Sequence, residues 1–436
     1  MNNRRDFIRM VSAASAGAIV MPGIISCGSK GKKGKSPNGL INIGMIGVGS
    51  HGGANLNAYL GLQDKCRVVA VCDVAKPRMN GGKDRTNDHY GNKDCKAYSD
   101  FRELLANPEI DAVQITTPDH WHVPISIIAA NSGKHVSCEK PMHTIEEGQM
   151  LKKVIKKTGL IFSVSVEDRF VPIYHNMAEL VKNGRIGDLK EIYIELPSGP
   201  TPTDGLDITE PPAGLDYDMW IGPAPMIPYC YSRTFYHFRW HKYFSGGVIT
   251  DWLTHMGETA KLIFGFDNSV PIEVEPLQDS VFHTGIFNTP QIFDVNYKYS
   301  SGANLRIKSE RNSARMKCTG TEGWIESESW RIPLTASNPT LLEPLPENKT
   351  AIPTDENEHV NFLKSIRSGK PAIMNPDEGH ATAVICHLGN IAIDLNRKLR
   401  WDAQNEKFID DDEANAKRGY TPREKWSYEK ILNMKC

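Results

Sequence analysis

Three short stretches of the chain hold residue types that could carry chemistry. The first is Gly47-Val48-Gly49-Ser50-His51-Gly52. Glycines at its first, third and sixth positions let a strand turn tightly into a helix, let the backbone approach a pyrophosphate, and let helix and strand pack closely. Asp73 follows at the end of the next apolar run. A carboxylate there can accept the ribose hydroxyls of NAD and repels a 2′-phosphate. Lys76 and Arg78 come soon after and keep NADP open as the second choice. The second stretch is Thr116-Thr117-Pro118-Asp119-His120-Trp121-His122, with Ser137-Cys138-Glu139-Lys140-Pro141 beyond it. Both follow the ends of apolar runs, where the ligands of a doubly wound sheet collect. The third is Gly246 to His255, in which Asp251 and His255 stand four apart and would share one face of a helix. A histidine with a carboxylate partner and a nearby lysine suits proton abstraction. The Asp251/His255 spacing could also serve a metal, but no third ligand is apparent, so no metal is expected. Each stretch alone has a bland alternative: a glycine-rich turn, a solvated lysine, a helix-start aspartate with a core histidine. Their joint occurrence favours chemistry.

These residues need elements to hold them. Leu40–Gly47 reads as a buried strand that runs into the glycine turn, followed by a helix over Ala54–Leu60. Further strands are expected at Arg67–Cys72, Ala112–Thr116, His135–Cys138 and Leu160–Val166, with helices at Phe101–Ala106, Val123–Asn131 and Thr144–Lys157. That alternation implies a parallel sheet with helices on both faces. After about residue 165 the pattern changes. Leu189–Leu196, Ile272–Glu275, Ile292–Tyr299, Asn304–Ser309, Arg315–Thr319 and Gly323–Glu326 read as strands, with hairpin turns at Tyr299–Gly302 and Thr321–Gly323. Gly247–Phe264 is expected to be helical, and Asn357–Ser368 and Glu378–Leu395 are helices able to return to the first half. Pro197–Gly246 is long, irregular and rich in proline, glycine and aromatic residues.

The bulk properties narrow the classes. The chain has 436 residues, 51 Lys+Arg against 52 Asp+Glu, 40% hydrophobic and 24% charged residues. That mix excludes a disordered or fibrous chain, and the balanced charge gives nucleic acid no basic footprint. No solenoid repeat is visible, and no apolar run of about 18 residues inside the body points to a multi-span membrane protein. The N-terminus carries the pair Arg4-Arg5, a weakly apolar Ala/Gly/Ser stretch from Met10 to Ser26, and then Cys27. It resembles a twin-arginine export signal that ends in a lipoprotein cleavage box, with Cys27 lipidated. Export to the periplasm, with membrane attachment only through that lipid, is expected. Of the nine cysteines, none pairs at metal-finger spacing. Cys72, Cys138 and Cys386 lie in apolar runs and read as buried thiols. Folding in the reducing cytoplasm before export would leave them free.

The combination Gly47-x-Gly49-x-x-Gly52, Glu139-Lys140-Pro141 and Asp251-x-x-x-His255 resembles the glucose-fructose oxidoreductase / inositol dehydrogenase (Gfo/Idh/MocA) family over roughly residues 41–405. The helix containing Cys386-His387-Leu388-Gly389-Asn390 is similar to one in its exported bacterial members. The resemblance implies a Rossmann doubly wound domain followed by an open, mainly antiparallel sheet α/β domain, the chains pairing into dimers or tetramers through that sheet. The organisation is then an export signal at 1–27, a flexible basic linker at 28–39, an NAD(P)-binding domain at 40–165, a substrate and oligomerisation domain at 166–405, and a C-terminal tail at 406–436. By the same resemblance Lys140 contacts the reacting hydroxyl and the nicotinamide ribose, His255 is the acid/base, and Asp251 orients substrate or His255. Relatives often have a cis bond at Lys140-Pro141 and place a cofactor- and substrate-contacting residue at Arg169. The cofactor set is Gly47, Gly49, Ser50, His51, Gly52, Asp73, Thr117, Pro118, His122, Glu139, Lys140 and Arg169. Two departures limit the transfer: Leu253-Thr254-His255-Met256 lacks a glycine that many relatives carry between the Asp and the His, and Pro197–Gly246 matches poorly.

That insert is expected to set specificity. It interleaves aromatic residues, Trp240 among them, with Arg233, His237, Arg239, His241 and Lys242. Aromatic faces match the C–H faces of sugar rings, and the polar groups can take hydroxyls. The substrate set is accordingly Lys140, Arg169, Trp240, Asp251 and His255. The expected activity is NAD-dependent oxidation of a secondary hydroxyl of a sugar or glycoside, with carbon 3 as the position. The first alternative is an NAD-dependent glycoside hydrolase of the family 109 kind, with transient oxidation and elimination. The second is a non-catalytic sugar-binding protein.

Overall fold

The computed structural model describes residues 39–200, 202–265, 270–311, 314–329 and 331–436. The export and lipidation expectations, Cys27 included, fall on residues 1–38 and lie outside the described residues. Among the described residues no helix is long and apolar enough to cross a membrane.

The first half is built on six parallel strands: β1 (Ile41–Ile46), β2 (Cys66–Cys72), β3 (Lys96–Tyr98), β4 (Ala112–Ile115), β5 (His135–Glu139) and β6 (Phe162–Ser165). Their order is β3-β2-β1-β4-β5-β6. β4 and β6 are buried along their whole length, as strands sandwiched between two helical layers must be. The strand order reverses between the neighbouring parallel strands β1 and β4, which opens a crevice at their carboxyl ends. The helices are α1 (Ser50–Leu60), α2 (Lys76–Tyr90), α3 (Phe101–Ala106), α4 (His122–Asn131) and α5 (Ile145–Thr158). α5 illustrates the local logic. Thr144 caps it by accepting from the Glu147 N–H at 3.1 Å. Ile145, Leu151, Val154 and Ile155 face inward, and Gly159 ends it at φ +66°.

The second half follows α6 (Pro172–Lys182) with a nine-stranded sheet. Its strands are β7 (Leu189–Pro197), β8 (Glu273–Pro276), β11 (Asp294–Lys298), β12 (Asn304–Arg311), β13 (Arg315–Gly320), β14 (Trp324–Ser327), β15 (Thr335–Ala336), β16 (Leu399–Asp402) and β17 (Lys407–Phe408). The short pair β9 (Val281–Phe282) and β10 (Pro290–Ile292) stands apart. The order is β15-β14-β13-β7-β12-β11-β8-β16-β17, and β7/β12 is its parallel pair. Alternation divides the faces. Ile192, Ile194, Leu305, Ile307, Met316 and Cys318 are buried in the second core. The opposite face carries Tyr193, Glu195, Arg306 and Arg315, tied together by Arg315–Glu195 at 3.2 Å and Arg306–Asp294 at 2.6 Å.

Between β7 and β8 the insert contributes α7 (Tyr217–Ile221), and after it a π-helical turn (Ile249–Leu253) continues as α8 (Thr254–Phe264). Two later helices, α9 (Glu358–Ser368) and α10 (Pro376–Leu395), tie the halves together. Phe362 and Leu363 pack into the same core as Ile41 and Tyr59, and Val384, Ile385 and Leu388 enter the second core. Residues 406–436, with α11 (Asp412–Ala416) and α12 (Tyr428–Asn433), bring buried Trp426 against Trp121 with ring centroids 4.8 Å apart. The eight cysteines among the described residues are free.

The structure adds elements that the sequence pattern does not announce, among them α2, β3, α6, α7, β16 and β17. Lys76–Tyr90 is polar on every side and shows no apolar stripe, and α6 is marked only by the helix-entry signal of Pro172 at its start. α1 begins at Ser50 rather than Ala54, because the helix opens inside the glycine turn itself.

Candidate active site

The β1–β4 crevice holds a cavity of about 670 Å³, lined at one end by Gly47, Gly49, Ser50, His51 and Gly52 and at the other by Lys140, Arg239 and His255. The glycine turn is sterically obligatory. Gly47 has φ +84°, and a β-carbon there would lie 2.4 Å from the Thr116 carbonyl oxygen; one at Gly52 would lie 2.1 Å from the Gly47 oxygen. Asp73 is buried beside it. Its two carboxylate oxygens accept the Val48 N–H at 3.0 Å and the Ala75 N–H at 2.9 Å. Burial raises its pKa, and those two hydrogen bonds only partly offset the rise. Thr117 and Pro118 line the same wall. The Thr117 hydroxyl and one Glu139 oxygen are buried without a hydrogen-bond partner, as groups that await a ligand would be. Backbone cradle, buried acid and unpartnered polar atoms together fit a dinucleotide with its pyrophosphate at the start of α1.

Glu139 ends β5 and is almost fully buried. Burial opposes its ionisation, but His51 at 3.1 Å, Asn55 at 2.8 Å and the Lys140 charge outweigh it and hold the carboxyl down to about 2. His51 in turn is raised by that hydrogen bond. His359 Nε2 from α9 lies 3.1 Å from the Asn55 side-chain oxygen Oδ1 and extends the chain of contacts.

The reacting end is assembled from four segments. The Lys140-Pro141 bond is cis. Lys140 Nζ donates to Asp251 Oδ1 and to the Asp251 carbonyl, each at 2.8 Å. Arg239 Nε lies 3.3 Å from the other Asp251 oxygen. Burial disfavours both charges, yet the pairing prevails: Asp251 is held well below the carboxylate range and Lys140 above the usual lysine value. Lys140 is therefore a charged donor and a poor base. His255, the second residue of α8, has its Nδ1 3.8 Å from Asp168 Oδ2, too far for a hydrogen bond, and that nitrogen has no other partner among the described residues.

Several expected sites move. Arg169 does not reach the cavity. It is 4% exposed, donates to the Pro353 carbonyl at 2.6 Å, and lies 3.6 Å from Glu258. Its guanidinium is held away from the cavity by that carbonyl and by the buried Glu258 carboxylate. Its neighbours Glu167 and Asp168 face the site instead. Trp240 is 2% exposed in the second core, over His283 at 5.5 Å, and does not line this cavity. The insert offers Arg239, Tyr236 and Phe238 to the cavity in its place. His122 borders the cavity, but its ring nitrogens lie 2.8 Å from the Pro141 and Thr117 carbonyls. It ties the two loops together rather than offering a nitrogen to a ligand. Among the described residues Asp251 pairs with Lys140 and Arg239, and His255 has Asp168 as its carboxylate neighbour, so Asp251 does not orient His255 by direct contact. Arg239 could have been singled out as an arginine amid aromatics; nothing local marked Asp168 as the neighbour of His255.

The sequence and the structure both have relatives. The description "Oxidoreductase family, NAD-binding Rossmann fold" matches residues 41–166, and "Oxidoreductase family, C-terminal alpha/beta domain" matches residues 176–428. The chain is similar to a myo-inositol 2-dehydrogenase of Thermotoga maritima, 22% identical over 83% of this chain and 99% of that protein. It is also similar to an alpha-N-acetylgalactosaminidase of Tannerella forsythia, 32% identical over 36% of this chain and 37% of that one. Among solved structures, a levoglucosan dehydrogenase in complex with NADH and levoglucosan superposes with a TM-score of 0.60 at 19% identity, covering 83% of this chain and 99% of that one.

Proposed function

The chain belongs to the GFO_IDH_MocA oxidoreductase family, and on that premise we propose that it oxidises a secondary ring hydroxyl of a sugar or glycoside to a ketone, with carbon 3 as the position. NAD, when bound in the glycine cradle, supplies the hydride acceptor. The observation that carries the reading is the Lys140–Asp251 pair in one cavity with a histidine whose Nδ1 has no hydrogen-bond partner among the described residues. Lys140, kept charged by Asp251, holds the substrate oxygen and stabilises the negative charge that develops there. With Nδ1 turned toward Asp168, Nε2 of His255 is the atom left to accept the hydroxyl proton. Arg239 fixes the far side of Asp251, so that the carboxylate cannot swing toward substrate. Tyr236, well exposed, and Trp252, near His255, offer aromatic faces for a sugar ring. The dinucleotide should be NAD rather than NADP, since Asp73 would meet a 2′-phosphate.

The similarity to an alpha-N-acetylgalactosaminidase supports a second reading, net hydrolysis through a transient ketone. A ketone acidifies the neighbouring C–H, the aglycone leaves, water adds, and the hydride returns. Incubation with an aryl glycoside and no added nucleotide separates the two. A keto-glycoside supports oxidation, whereas aglycone with unoxidised sugar supports hydrolysis. Neither product after loading with NAD would sink both.

We further propose that the chain is exported by the twin-arginine route, carries a lipid on Cys27 and acts as a dimer or tetramer. Retention of an Arg4→Lys, Arg5→Lys variant in the cytoplasm, loss of lipid in Cys27→Ser, and light scattering test these in turn.

A further inference from the structure

A second cavity, of about 340 Å³, is walled by the segment after the cis Lys140-Pro141 bond, the end of the insert, α10 and residues 417–421. Its size is at the lower end of what small-molecule sites occupy. Lys140, Asp251 and His255 do not line it. The two cavities meet at one wall: Ser245 lines the second, and its hydroxyl donates to Asp119, which lines the first, at 2.5 Å. Three features of the second lining point to a ligand. The first is a pair of polar atoms, His143 Nδ1 and Asn390 Oδ1, buried without a hydrogen-bond partner among the described residues. His143 is 7% exposed, and burial beside His120 and His387 holds its ring neutral. Asn390 Nδ2 donates to the Gly246 carbonyl at 2.8 Å, which fixes the amide and leaves Oδ1 to accept. Buried polar atoms cost stability unless something bonds them. A hydroxyl can donate to Oδ1 and can either donate to or accept from a neutral imidazole nitrogen. The second feature is charge. Lys242, Lys417 and Arg418 stand in the lining against one carboxylate, Asp394. Lys242 is committed to Asp394 at 2.5 Å, and Arg418 donates to the Glu406 carbonyl at 3.0 Å and lies 3.6 Å from Glu146. Lys417 Nζ is 3.9 Å from Asp394 Oδ2, beyond hydrogen-bond distance, so its ammonium is the charge a ligand can take. The third is the ring of Tyr243, which lines the cavity and is 41% exposed, an apolar face of the kind that meets the C–H face of a sugar.

We propose that this cavity is a second ligand site, for a sugar unit that carries a carboxylate, a uronic acid. Its hydroxyls bond His143 Nδ1 and Asn390 Oδ1, its carboxylate pairs with Lys417, and one face of its ring rests on Tyr243. The site uses neither the dinucleotide cradle nor the reacting groups, so it stands apart from the oxidoreductase reading.

The test is calorimetry on the full chain with NADH present, so that no hydride can be taken from the probe. The probes are the methyl glycosides of glucuronic and galacturonic acid, the matching neutral methyl glucoside and galactoside, and acetate. At least one acidic glycoside should bind roughly tenfold more tightly than its neutral counterpart and than acetate. Lys417→Glu, on a partly exposed side chain, should weaken that binding roughly tenfold or more, and Lys417→Gln should weaken it less, with circular dichroism used to verify folding. His255→Ala, at the reacting end, should leave it unchanged. Failure of both acidic glycosides to bind overturns the site. So does equal affinity for acidic and neutral glycosides. Binding that is lost in His255→Ala and kept in Lys417→Glu also overturns it, by returning the ligand to the first cavity. The oxidoreductase reading survives each of these outcomes, since its own test is turnover with NAD.

Discussion

The two ends of the cavity are built differently. At the phosphate end, Gly47, Gly49, Gly52 and Asp73 lie along one continuous β1–α1–β2 unit; Gly47, Gly52 and Asp73 act on nearby backbone atoms, and Gly49 faces the Arg78 guanidinium. At the reacting end, Lys140 comes from the β5 corner, Asp168 from the turn after β6, Arg239 from the insert, and Asp251 and His255 from the π turn and α8. The phosphate end depends on shape and tolerates no added atom. The reacting end depends on charge balance: one lysine and one arginine hold one half-buried aspartate. A local unit can be recognised from spacing. A charge cluster drawn from separate segments exists only once the chain has folded.

Four perturbations would break or sharpen that contrast. The largest effect is expected at the reacting end. Lys140→Ala should lower kcat/KM by roughly 10²–10³, while NADH affinity measured by calorimetry changes far less. Equal losses in both would merge the two ends into one unit. Gly52→Ala should do the reverse. Its β-carbon meets the Gly47 carbonyl, and NADH affinity should fall roughly 10- to 100-fold, with circular dichroism used to verify folding.

A third perturbation is acid. Burial pushes His120 down to about 3 and His241 and His387 down to about 4. The unfolded chain protonates these rings near 6.5, while the folded chain keeps them neutral until about pH 4 or below. The unfolded state thus binds more protons across that window, and stability falls as the pH falls from about 6.5 to 4. The loss is up to about 1.4 kcal/mol per pH unit for each ring. Thermal melts at stepped pH should display this slope, and His387→Gln should flatten it. The smallest effect concerns the insert. Trp240→Phe should cost about 1–2 kcal/mol of stability and leave the substrate KM within about twofold, whereas a large rise in KM would return Trp240 to the site.

Much of the first half was legible. Phe101–Ala106 is a helix with the expected bounds, and the strand ends fall within a residue or two because apolar runs stop where the sheet stops. α2 was silent because its stability comes from docking on β2 and not from an apolar face. At the reacting end, Lys140, Asp251 and His255 are together, but their partners were not readable. Arg239 was one of several basic residues in an aromatic stretch, and only its 3.3 Å approach to Asp251 sets it apart. Glu167-Asp168-Arg169 pointed to the right turn and the wrong member. An arginine looks like a ligand-binding group until the buried Glu258 and the Pro353 carbonyl claim it.

What the amino-acid order determined by itself is whatever depends on backbone geometry over a few residues: the positive-φ glycine turn, the helix caps, the alternation of the second sheet, and the acid at the end of β2. Tertiary structure alone decided which distant charges pair, and which aromatic residues of the insert enter the core and which face the cavity. The physical reason is range. Steric rules act between neighbours in sequence, whereas desolvation and ion pairing act between neighbours in space, and a side chain's charge state is settled by whatever the fold buries beside it.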